Sequence, residues 1–308
     1  MKENFRLIMI GAMYENGGNT SHRFLDGHPQ LHVYPFESQL GTKHVNDALS
    51  SMFPLKYRWP EFLLDATPLI DYKAIIDEEG KVRARTPHVS KFRHMPFDFS
   101  DDERCARYLQ YIGESGRSRS ANVEAFFRAT FDVWKDYRRS SRESVYVGYS
   151  PIITVDALRI LNDLPQAHLL HIVRNPWSAY ADTKKRPVPL PLDSYMLGWN
   201  TNQYFALIAK EQFPDRVHII RTEDVMADPR GTLGGVCRTL GLEDAPTLAT
   251  PTWNGTELKE LYPWGTIRHA TPDANLATAR ELDDGERERI ALLTSQYLDV
   301  LDYRSFLK

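Results

Sequence analysis

A strand, a glycine turn, a helix and a second strand follow one another near the start of the chain, and this order constrains the fold more than any other feature. The apolar run 5–10 is rich in strand formers and stops at Gly11. A turn of small polar residues follows at 16–21, then a segment with helical spacing around Phe24 and a second apolar run at 31–34. We therefore predict the start of a right-handed βαβ unit.

The turn between the first strand and the helix is suited to bind a phosphate, and its sequence is Asn16-Gly17-Gly18-Asn19-Thr20-Ser21. Glycines let the backbone come close to an anion, successive N–H groups converge on it, and the helix N-terminus adds a partial positive charge. The same residues would also serve only to bend the chain and cap the helix, so the turn alone leaves both interpretations open. It is not a Walker A loop, because Asn19 rather than lysine follows Gly18.

Three further apolar runs predict strands at 145–149, 169–173 and 216–221; we expect 169–173 to be buried on both faces and 216–221 to be another buried strand. Helical spacing predicts helices at 154–162, from Pro176 onward, at 193–213, from Pro229 to Leu240 and at 283–301, with a loop at 250–272. Strands that alternate with helices predict an α/β fold, a three-layer sandwich around a central, mainly parallel sheet.

Two turns suited to anions fall at the ends of predicted strands. The glycine turn follows the first strand, and Arg174-Asn175-Pro176 follows the run 169–173. Parallel sheets bind ligands at the carboxyl ends of their strands. Two such turns on one sheet edge therefore indicate a ligand with two separated phosphates.

Residues 41–144 mix prolines, aromatics and charges, and we interpret them as a largely helical insertion within a single domain that spans 1–308. The spacing over 123–137 predicts a helix whose aromatic side chains pack in the core, among them Phe126, Phe131 and Trp134. Arg117 and Arg119 either belong to a solvated surface or fold over an anionic cofactor or acidic substrate. The sequence leaves both possibilities open.

Composition argues against several classes of protein. The 308-residue chain is 42% hydrophobic and 26% charged, as globular proteins are, and its net charge of -3 argues against a nucleic-acid binder. Cys105 and Cys237 are too few for a disulfide framework or a four-cysteine zinc site, and we predict no metal site. The N-terminal run is interpreted as a core strand rather than a signal peptide, and no run is long enough to span a membrane. We expect a cytoplasmic protein.

Three stretches together resemble the sulfotransferases that use 3′-phosphoadenosine-5′-phosphosulfate (PAPS) as sulfuryl donor. The stretches are the glycine turn with His28-Pro29 and Glu37 downstream, the run 171–176, and the run 219–229 with Leu240-Gly241-Leu242 beyond it. The resemblance covers both ends of the predicted sheet and leaves the insertion unmatched. It implies the P-loop NTPase-like form of the α/β fold.

The resemblance also implies roles for individual residues. The 5′-phosphosulfate of the donor would be held by the glycine turn, that is by Asn16, Gly17, Gly18, Asn19, Thr20 and Ser21. The 3′-phosphate would contact Arg174, whose guanidinium is a suitable charged partner, with Ser178 and Asp182 downstream. Arg268, in a late loop, would be a further donor contact. Glu37 stands where some branches of the family keep the general base that takes the acceptor's proton.

The chain departs from the family pattern at two of these positions. Asn16 stands where the family usually has a lysine or arginine, and Asp182 stands where it usually has a serine that touches the 3′-phosphate. Ser178 or Thr183 would then substitute for that serine. The candidates to replace the loop cation are His22, Arg23, Lys43 and His44, and the two histidines could also act as acid or base.

We therefore predict a sulfotransferase that moves a sulfuryl group from PAPS to a hydroxyl or amine of a small molecule, glycan or lipid and releases PAP, the desulfated product. The insertion would form the acceptor pocket. Two alternatives stay open: a catalytically altered protein on the same fold that binds a nucleotide or sulfated ligand, and another P-loop transferase such as a small-molecule kinase. A serine hydrolase is disfavoured, because Ile152 replaces the glycine that would complete a nucleophile elbow at 148–152. The sequence specifies neither the acceptor nor the oligomeric state.

Overall fold

The computed structural model describes residues 5–90, 92–258, 261–262, 265–266 and 271–307. Its centre is a parallel sheet made of β1 (Leu7–Ala12), β2 (Leu31–Val33), β3 (Val145–Pro151), β4 (Ala167–Val173) and β5 (Val217–Arg221). The strand order is β2-β3-β1-β4-β5, so β1 lies in the middle between β3 and β4. The predicted α/β class is confirmed, and every pairing in this sheet is parallel.

The three central strands are buried on both faces because their sequences are almost wholly apolar. All six residues of β1 are buried, and β3 and β4 each have a single half-buried residue. In β5 only Val217 is buried, and the other four residues are half-buried. The predicted strand at 216–221 is thus only partly buried: Ile219 and Ile220 pack against core clusters, but β5 is an edge strand with a neighbour on one side only.

Helices cover both faces of the sheet and complete the three layers. Their bounds are α1 (Gly18–Leu25), α2 (Pro68–Ala74), α3 (Glu78–Arg85), α4 (Asp101–Ser115), α5 (Arg119–Val133), α6 (Ala157–Asp163), α7 (Pro176–Lys184), α8 (Leu192–Gln212), α9 (Thr222–Ala227), α10 (Pro229–Thr239), α11 (Pro272–Ala279), α12 (Asp284–Leu293) and α13 (Ser295–Leu298). On one face, α1 and α10 pack against Ile8 and Ile10 of β1. On the other, α5 and α6 pack against Leu7 and Met9.

Shorter elements fill the connections. Single 3₁₀ turns occur at Leu55–Tyr57, Pro87–Val89, Ile153–Asp156 and Pro246–Ala249. The predicted loop at 250–272 contains two antiparallel strand pairs, β6 (Thr252–Trp253) with β7 (Thr256–Glu257) and β8 (Leu261–Tyr262) with β9 (Gly265–Thr266). The predicted final helix breaks at Thr294, whose φ of -105° and ψ of 4° separate α12 from α13. No helix of the described ranges is long and apolar enough to cross a bilayer.

The 41–144 region contains α2 to α5. Phe126, Phe131 and Trp134 are at most 2% exposed, so the prediction that they lie in the core is confirmed. They join an aromatic core that also includes Phe36 and Trp253, which fixes this region to the rest of the chain.

The two arginines of 116–120 form ion pairs with other parts of the chain. Arg117 pairs with Asp71 on α2, and Arg119 pairs with Asp163 at the end of α6. Both side chains therefore tie separate parts of the chain together through ion pairs.

Candidate functional site

The glycine turn lies between the carboxyl end of β1 and the start of α1. Gly17 has a left-handed backbone with φ 80° and caps α1, and Gly18 is the first helical residue. A Cβ atom on Gly17 would lie 2.6 Å from Oγ1 of Thr222, and one on Gly18 would lie 2.5 Å from the ring of Tyr149. Both glycines are therefore required by packing against neighbouring strand ends, whether or not a phosphate binds there.

Asn16 joins this turn to the carboxyl end of β4, and its side chain is fully buried. Its Oδ1 accepts a 2.9 Å hydrogen bond from the backbone N–H of Arg174. Its Nδ2 donates to the carbonyl of Tyr14 at 2.8 Å and to the hydroxyl of Tyr195 at 3.0 Å. Its own carbonyl accepts from the hydroxyl of Thr222. The residue in the place of the loop cation is thus an amide that holds three parts of the sheet edge together.

The side chain of Arg174 is held at the same edge and is only 13% exposed. Its Nε donates to Oδ1 of Asn275 at 2.7 Å. Its Nη1 donates to the carbonyl of Glu15 at 2.9 Å and to the carboxylate of Asp182 at 2.8 Å. The guanidinium is therefore brought beside the glycine turn, and one of its partners is an anion of the protein itself.

Charges around this arginine are balanced. The other oxygen of Asp182 lies 3.1 Å from Nζ of Lys185, which also lies 2.8 Å from Glu281. The guanidinium of Arg186 lies 3.9 Å from the carboxylate of Glu15. Together with Arg174, three cations face three carboxylates at the edge of the site.

A carboxylate that the sequence did not single out holds these turns in place. Oε1 of Glu223 accepts from the backbone N–H of Asn175 at 3.0 Å and from the side-chain amides of Asn175 and Asn275, both at 2.7 Å. Its Oε2 accepts from the hydroxyl of Tyr303 at 2.8 Å. Burial first, and then the charge of Glu223, raise the pKa of Tyr303 well above its usual value. Glu223 thereby orients the amide of Asn275 that accepts from Arg174.

Neither hydroxyl that was predicted to replace the missing serine has a free proton. Ser178 donates to the carbonyl of Asn275 at 2.7 Å, and Thr183 donates to the carbonyl of Ala179 at 2.9 Å. Both residues are fully buried. Their hydroxyls stabilise α7 and its contact with α11, so they do not offer the hydrogen bond that the family serine gives.

The first turn of α1 carries three polar side chains with no hydrogen-bond partner in the described part of the chain, namely Asn19, Thr20 and Ser21. Asn19 and Thr20 are half-buried, and the hydroxyl oxygen of Ser21 is fully buried. The first backbone N–H groups of an α-helix also lack partners within the helix. The helix start therefore has donors that remain available to an anion.

Glu37 lies among tyrosines next to the glycine turn. Gln39 donates to its Oε2 at 3.3 Å. Burial, and then the charge of Glu37, raise the pKa of Tyr57. Burial raises the pKa of Tyr14 to about 12, and the charge of Glu37 adds to that shift. Burial and the charge of Glu37 likewise raise the pKa of Tyr149, whose ring covers the start of α1. The structure thus brings Glu37 close to the turn that would hold the donor.

His22 and Arg23 are placed differently from what the sequence suggested. His22 is fully buried, and its Nδ1 lies 2.6 Å from Nη2 of Arg23. Burial, and then the charge of Arg23, lower the pKa of His22 well below its usual value. Arg23 itself lies over the ring of Trp253 at 5.1 Å, and burial lowers its pKa to about 10. This packing does not favour His22 as an acid or base, or Arg23 as a replacement for the loop cation.

The remaining predicted residues lie apart from the turn or outside the described ranges. Lys43 is exposed, and His44 is half-buried with its backbone N–H donating to Thr42 at 3.3 Å. No hydrogen bond or ion pair joins either side chain to the glycine turn in the part of the chain that the structure describes. Arg268 lies outside the described residues. Within those residues, no three histidine, cysteine or acidic side chains are grouped so as to hold a metal ion.

The sequence could have drawn attention to part of the Glu223 network. Glu223 belongs to the stretch 219–229 that resembles the family, although the pattern gave it no role. Asn275 and Tyr303 belong to no motif, and they contact Arg174 and Glu223 across 101 and 80 residues of sequence. No local pattern predicts contacts over such separations.

A parallel sheet with a glycine turn after its central strand and an arginine turn after the next strand defines a P-loop-like α/β protein. The model of a family described as the sulfotransferase family matches residues 8–246, which is most of the chain. The chain belongs to the sulfotransferase family. A search of curated protein sequences gave no match.

Solved structures with a similar fold are also sulfotransferases. The sulfotransferase domain of the olefin synthase from Synechococcus PCC 7002 is 17% identical with a TM-score of 0.52, over 95% of this chain and 96% of that one. Sulfotransferase STF9 from Mycobacterium avium is 15% identical with a TM-score of 0.46, over 97% of this chain and 77% of that one. The first of these likenesses supports the sulfotransferase fold of the chain.

Proposed function

We propose that this sulfotransferase moves a sulfuryl group from PAPS to a hydroxyl, or an amine, of a small molecule, glycan or lipid. The observation that carries the proposal is the hydrogen bond from the N–H of Arg174 to the side chain of Asn16. It holds the glycine turn and the arginine at one sheet edge, where a donor with anionic groups at both its 5′ and 3′ positions would meet both. Membership of the family supports the same donor.

The start of α1 would receive the 5′-phosphosulfate. Asn19, Thr20 and Ser21 have side chains without protein partners in the described ranges, and the helix start adds unpaired N–H groups. Arg174 would reach the 3′-phosphate, because its guanidinium lies beside this turn and Glu223 and Asn275 fix its direction. The donor would therefore lie along the carboxyl ends of β1 and β4.

Glu37 would act as the general base. The acceptor oxygen attacks the sulfur and forms the new S–O bond, while the bond from sulfur to the bridging phosphate oxygen breaks and its electron pair stays on PAP. The acceptor's proton passes to the carboxylate of Glu37, which accepts a hydrogen bond from Gln39. The acceptor would bind between this carboxylate and the 41–144 region.

The negative charge that develops on the leaving phosphate needs a cation, and Asn16 supplies none. We assign this role to Arg186. Its guanidinium lies 4.8 Å from the ring centroid of Tyr14, which is two residues before the glycine turn. Its partner Glu15 is 3.9 Å away, a loose contact that a stronger anion can replace.

Calorimetric titration with PAP tests the donor site. Arg174→Ala should weaken PAP binding about ten- to hundred-fold, because a charge-assisted hydrogen bond contributes about 1.5–3 kcal/mol. The matched control is Arg230→Ala, which removes an arginine from an exposed pair with Asp244 and should leave PAP binding unchanged. If PAP does not bind, or if Arg174→Ala binds PAP as tightly as wild type does, the sulfotransferase proposal fails.

Glu37→Gln tests the chemistry. It should lower the rate of sulfuryl transfer about 10²- to 10⁴-fold, the usual contribution of a general base, while PAP still binds. Glu211→Gln is the control, because Glu211 is exposed near the end of α8, which leads into the start of β5 and so lies at the opposite end of the sheet from the site. A Glu37→Gln variant with full activity would remove the base from the mechanism.

A second function is favoured by two observations at the site. Asn16 carries no charge and Asp182 already neutralises Arg174, so the same fold would also suit a protein that binds a nucleotide or sulfated ligand without turnover. The two functions separate in one assay: PAP binding together with transfer from PAPS to some member of an acceptor panel supports the enzyme. PAP binding without transfer to any acceptor supports the binding protein.

A further inference from the structure

The carboxylate of Asp182 is hydrogen-bonded to the guanidinium of Arg174, the group that a 3′-phosphate would contact. Nη1 of Arg174 donates to Asp182 at 2.8 Å, and Nε donates to Asn275 at 2.7 Å. Only Nη2 has no acceptor in the described part of the chain, so each of the two edges by which the guanidinium could grip a phosphate has one of its two nitrogens already engaged. An incoming phosphate would meet a carboxylate at hydrogen-bond distance from the same guanidinium.

The surroundings of Asp182 contain no surplus positive charge. Lys185 bridges Asp182 and Glu281, at 3.1 and 2.8 Å. The next cation along the chain, Arg186, faces Glu15. Arg174 and Lys185, the two cations that contact Asp182, are therefore already paired with carboxylates, and a 3′-phosphate would bring further negative charge beside Asp182.

A ribose hydroxyl suits the same pair better than a phosphate does. A hydroxyl can donate its proton to the carboxylate of Asp182 and accept a hydrogen bond from Arg174 at the same time. Two negative groups next to each other repel, and a carboxylate near a sugar hydroxyl is the arrangement by which dinucleotide sites distinguish a hydroxyl from a phosphate.

We infer that Asp182 sets the selectivity of this chain at the 3′ position of the donor nucleotide, an inference that rests on the proposed function. The carboxylate removes most of the preference for a 3′-phosphate, so nucleotides with a free 3′-hydroxyl bind about as well as their 3′-phosphorylated counterparts. The donor class is thereby widened to adenosine 5′-phosphosulfates with or without the 3′-phosphate.

PAP and AMP differ only in the 3′-phosphate, so their affinities for the full chain measure this selectivity directly by calorimetry. The wild-type protein should bind the two within about tenfold of each other. Asp182→Asn keeps the shape of the side chain and removes its charge, and it should tighten PAP binding about ten- to hundred-fold while AMP binding changes little. Asp182→Ser should act in the same direction, and it covers the case that Asp182→Asn fails to fold.

The outcomes separate this inference from the proposed function. If wild-type protein prefers PAP over AMP more than a hundredfold, or if neither substitution changes the ratio of the two affinities, the inference is overturned while the nucleotide site stands. If neither PAP nor AMP binds at all, the proposed function fails and the inference fails with it. The inference is supported if wild-type protein binds PAP and AMP about equally and the preference for PAP over AMP increases in the Asp182 variants.

Discussion

The backbone N–H of Arg174 donates a 2.9 Å hydrogen bond to the side-chain oxygen of Asn16. The two residues are 158 positions apart in sequence, and each follows a strand of the central sheet. Because Asn16 is fully buried, its amide is not a free group that a ligand could recruit. The bond sets the position of the arginine turn relative to the glycine turn before any donor binds.

Asn16→Ala should destabilise the protein. It leaves the N–H of Arg174 without its partner and removes a donor to Tyr195, and a buried polar group that loses its partner costs about 1–3 kcal/mol. Urea unfolding gives the change in the free energy of unfolding. The control is Asn19→Ala, because Asn19 has no side-chain hydrogen bond in the described ranges and should change stability by less than about 0.5 kcal/mol. Equal stabilities of the two variants would contradict the bridging role of Asn16.

Gly17→Ala should also destabilise the fold, for a reason that concerns the backbone. A residue with a Cβ pays about 1–2 kcal/mol in the left-handed conformation, and at this position the Cβ would also lie 2.6 Å from Oγ1 of Thr222. We expect a loss of at least about 2 kcal/mol in the free energy of unfolding.

The matched control for that glycine is Gly235→Ala within α10. There the nearest atom to an added Cβ is Nη2 of Arg238 at 3.8 Å, and alanine in a helix is more stable than glycine by about 0.5–1 kcal/mol. The two substitutions should therefore shift the urea midpoint in opposite directions. A Gly17→Ala variant as stable as wild type would show that the turn can change its conformation.

Local patterns were enough to predict the sheet and its two turns. The apolar runs that became β1 and β4 are continuous, and a glycine or an Arg-Asn-Pro turn follows each of them. Such signals depend on a few neighbouring residues and do not require the rest of the fold to be known. The run that became β5 has a similar sequence, yet it lies at the edge of the sheet. The order of strands in a sheet depends on the helical connections between them and not on the sequence of any one strand.

The site was predicted less completely because its decisive contacts are long-range. The sequence identified Asn16 as a missing cation, but its hydrogen bonds to Arg174 and Tyr195 span 158 and 179 residues. Likewise, the sequence suggested that His22 and Arg23, near the start of a helix, could contact the donor, but in the structure both side chains are buried in the core. Charge and spacing say which residue types are present near a turn, and packing decides which of them face it.

Arg186→Gln should slow sulfuryl transfer without abolishing donor binding. If this guanidinium offsets charge on the leaving phosphate, its loss should lower kcat about 10²- to 10³-fold, the usual effect of removing one such group. Arg186→Lys should recover part of the rate, since it restores a cation. Arg289→Gln is the control, because it removes an arginine from an exposed pair with Asp193. An unchanged kcat in Arg186→Gln would require another cation in this role.

Protonation of His171, a buried residue of β4, should oppose folding at low pH. Its Nε2 lies 2.7 Å from Oε1 of Gln203, and its Nδ1 lies 2.9 Å from the hydroxyl of Thr154. An amide oxygen only accepts hydrogen bonds, so Nε2 carries the proton, and the hydroxyl of Thr154 donates to Nδ1. The ring is therefore neutral and fully bonded, and burial lowers its pKa to about 4.

The sign of the pH effect follows from this shift. In the unfolded chain a histidine binds a proton near pH 6.5, whereas the folded chain resists protonation of His171 down to about pH 4. Its contribution to stability is fully present above pH 6.5 and is lost as the pH falls through this window, by about 3 kcal/mol in total. Urea unfolding at intervals from pH 7 to pH 4.5 should show a smaller decrease in stability for His171→Gln than for wild type. Other histidines contribute equally to both proteins, so equal slopes would mean that His171 is protonated in the folded state as readily as in the unfolded chain.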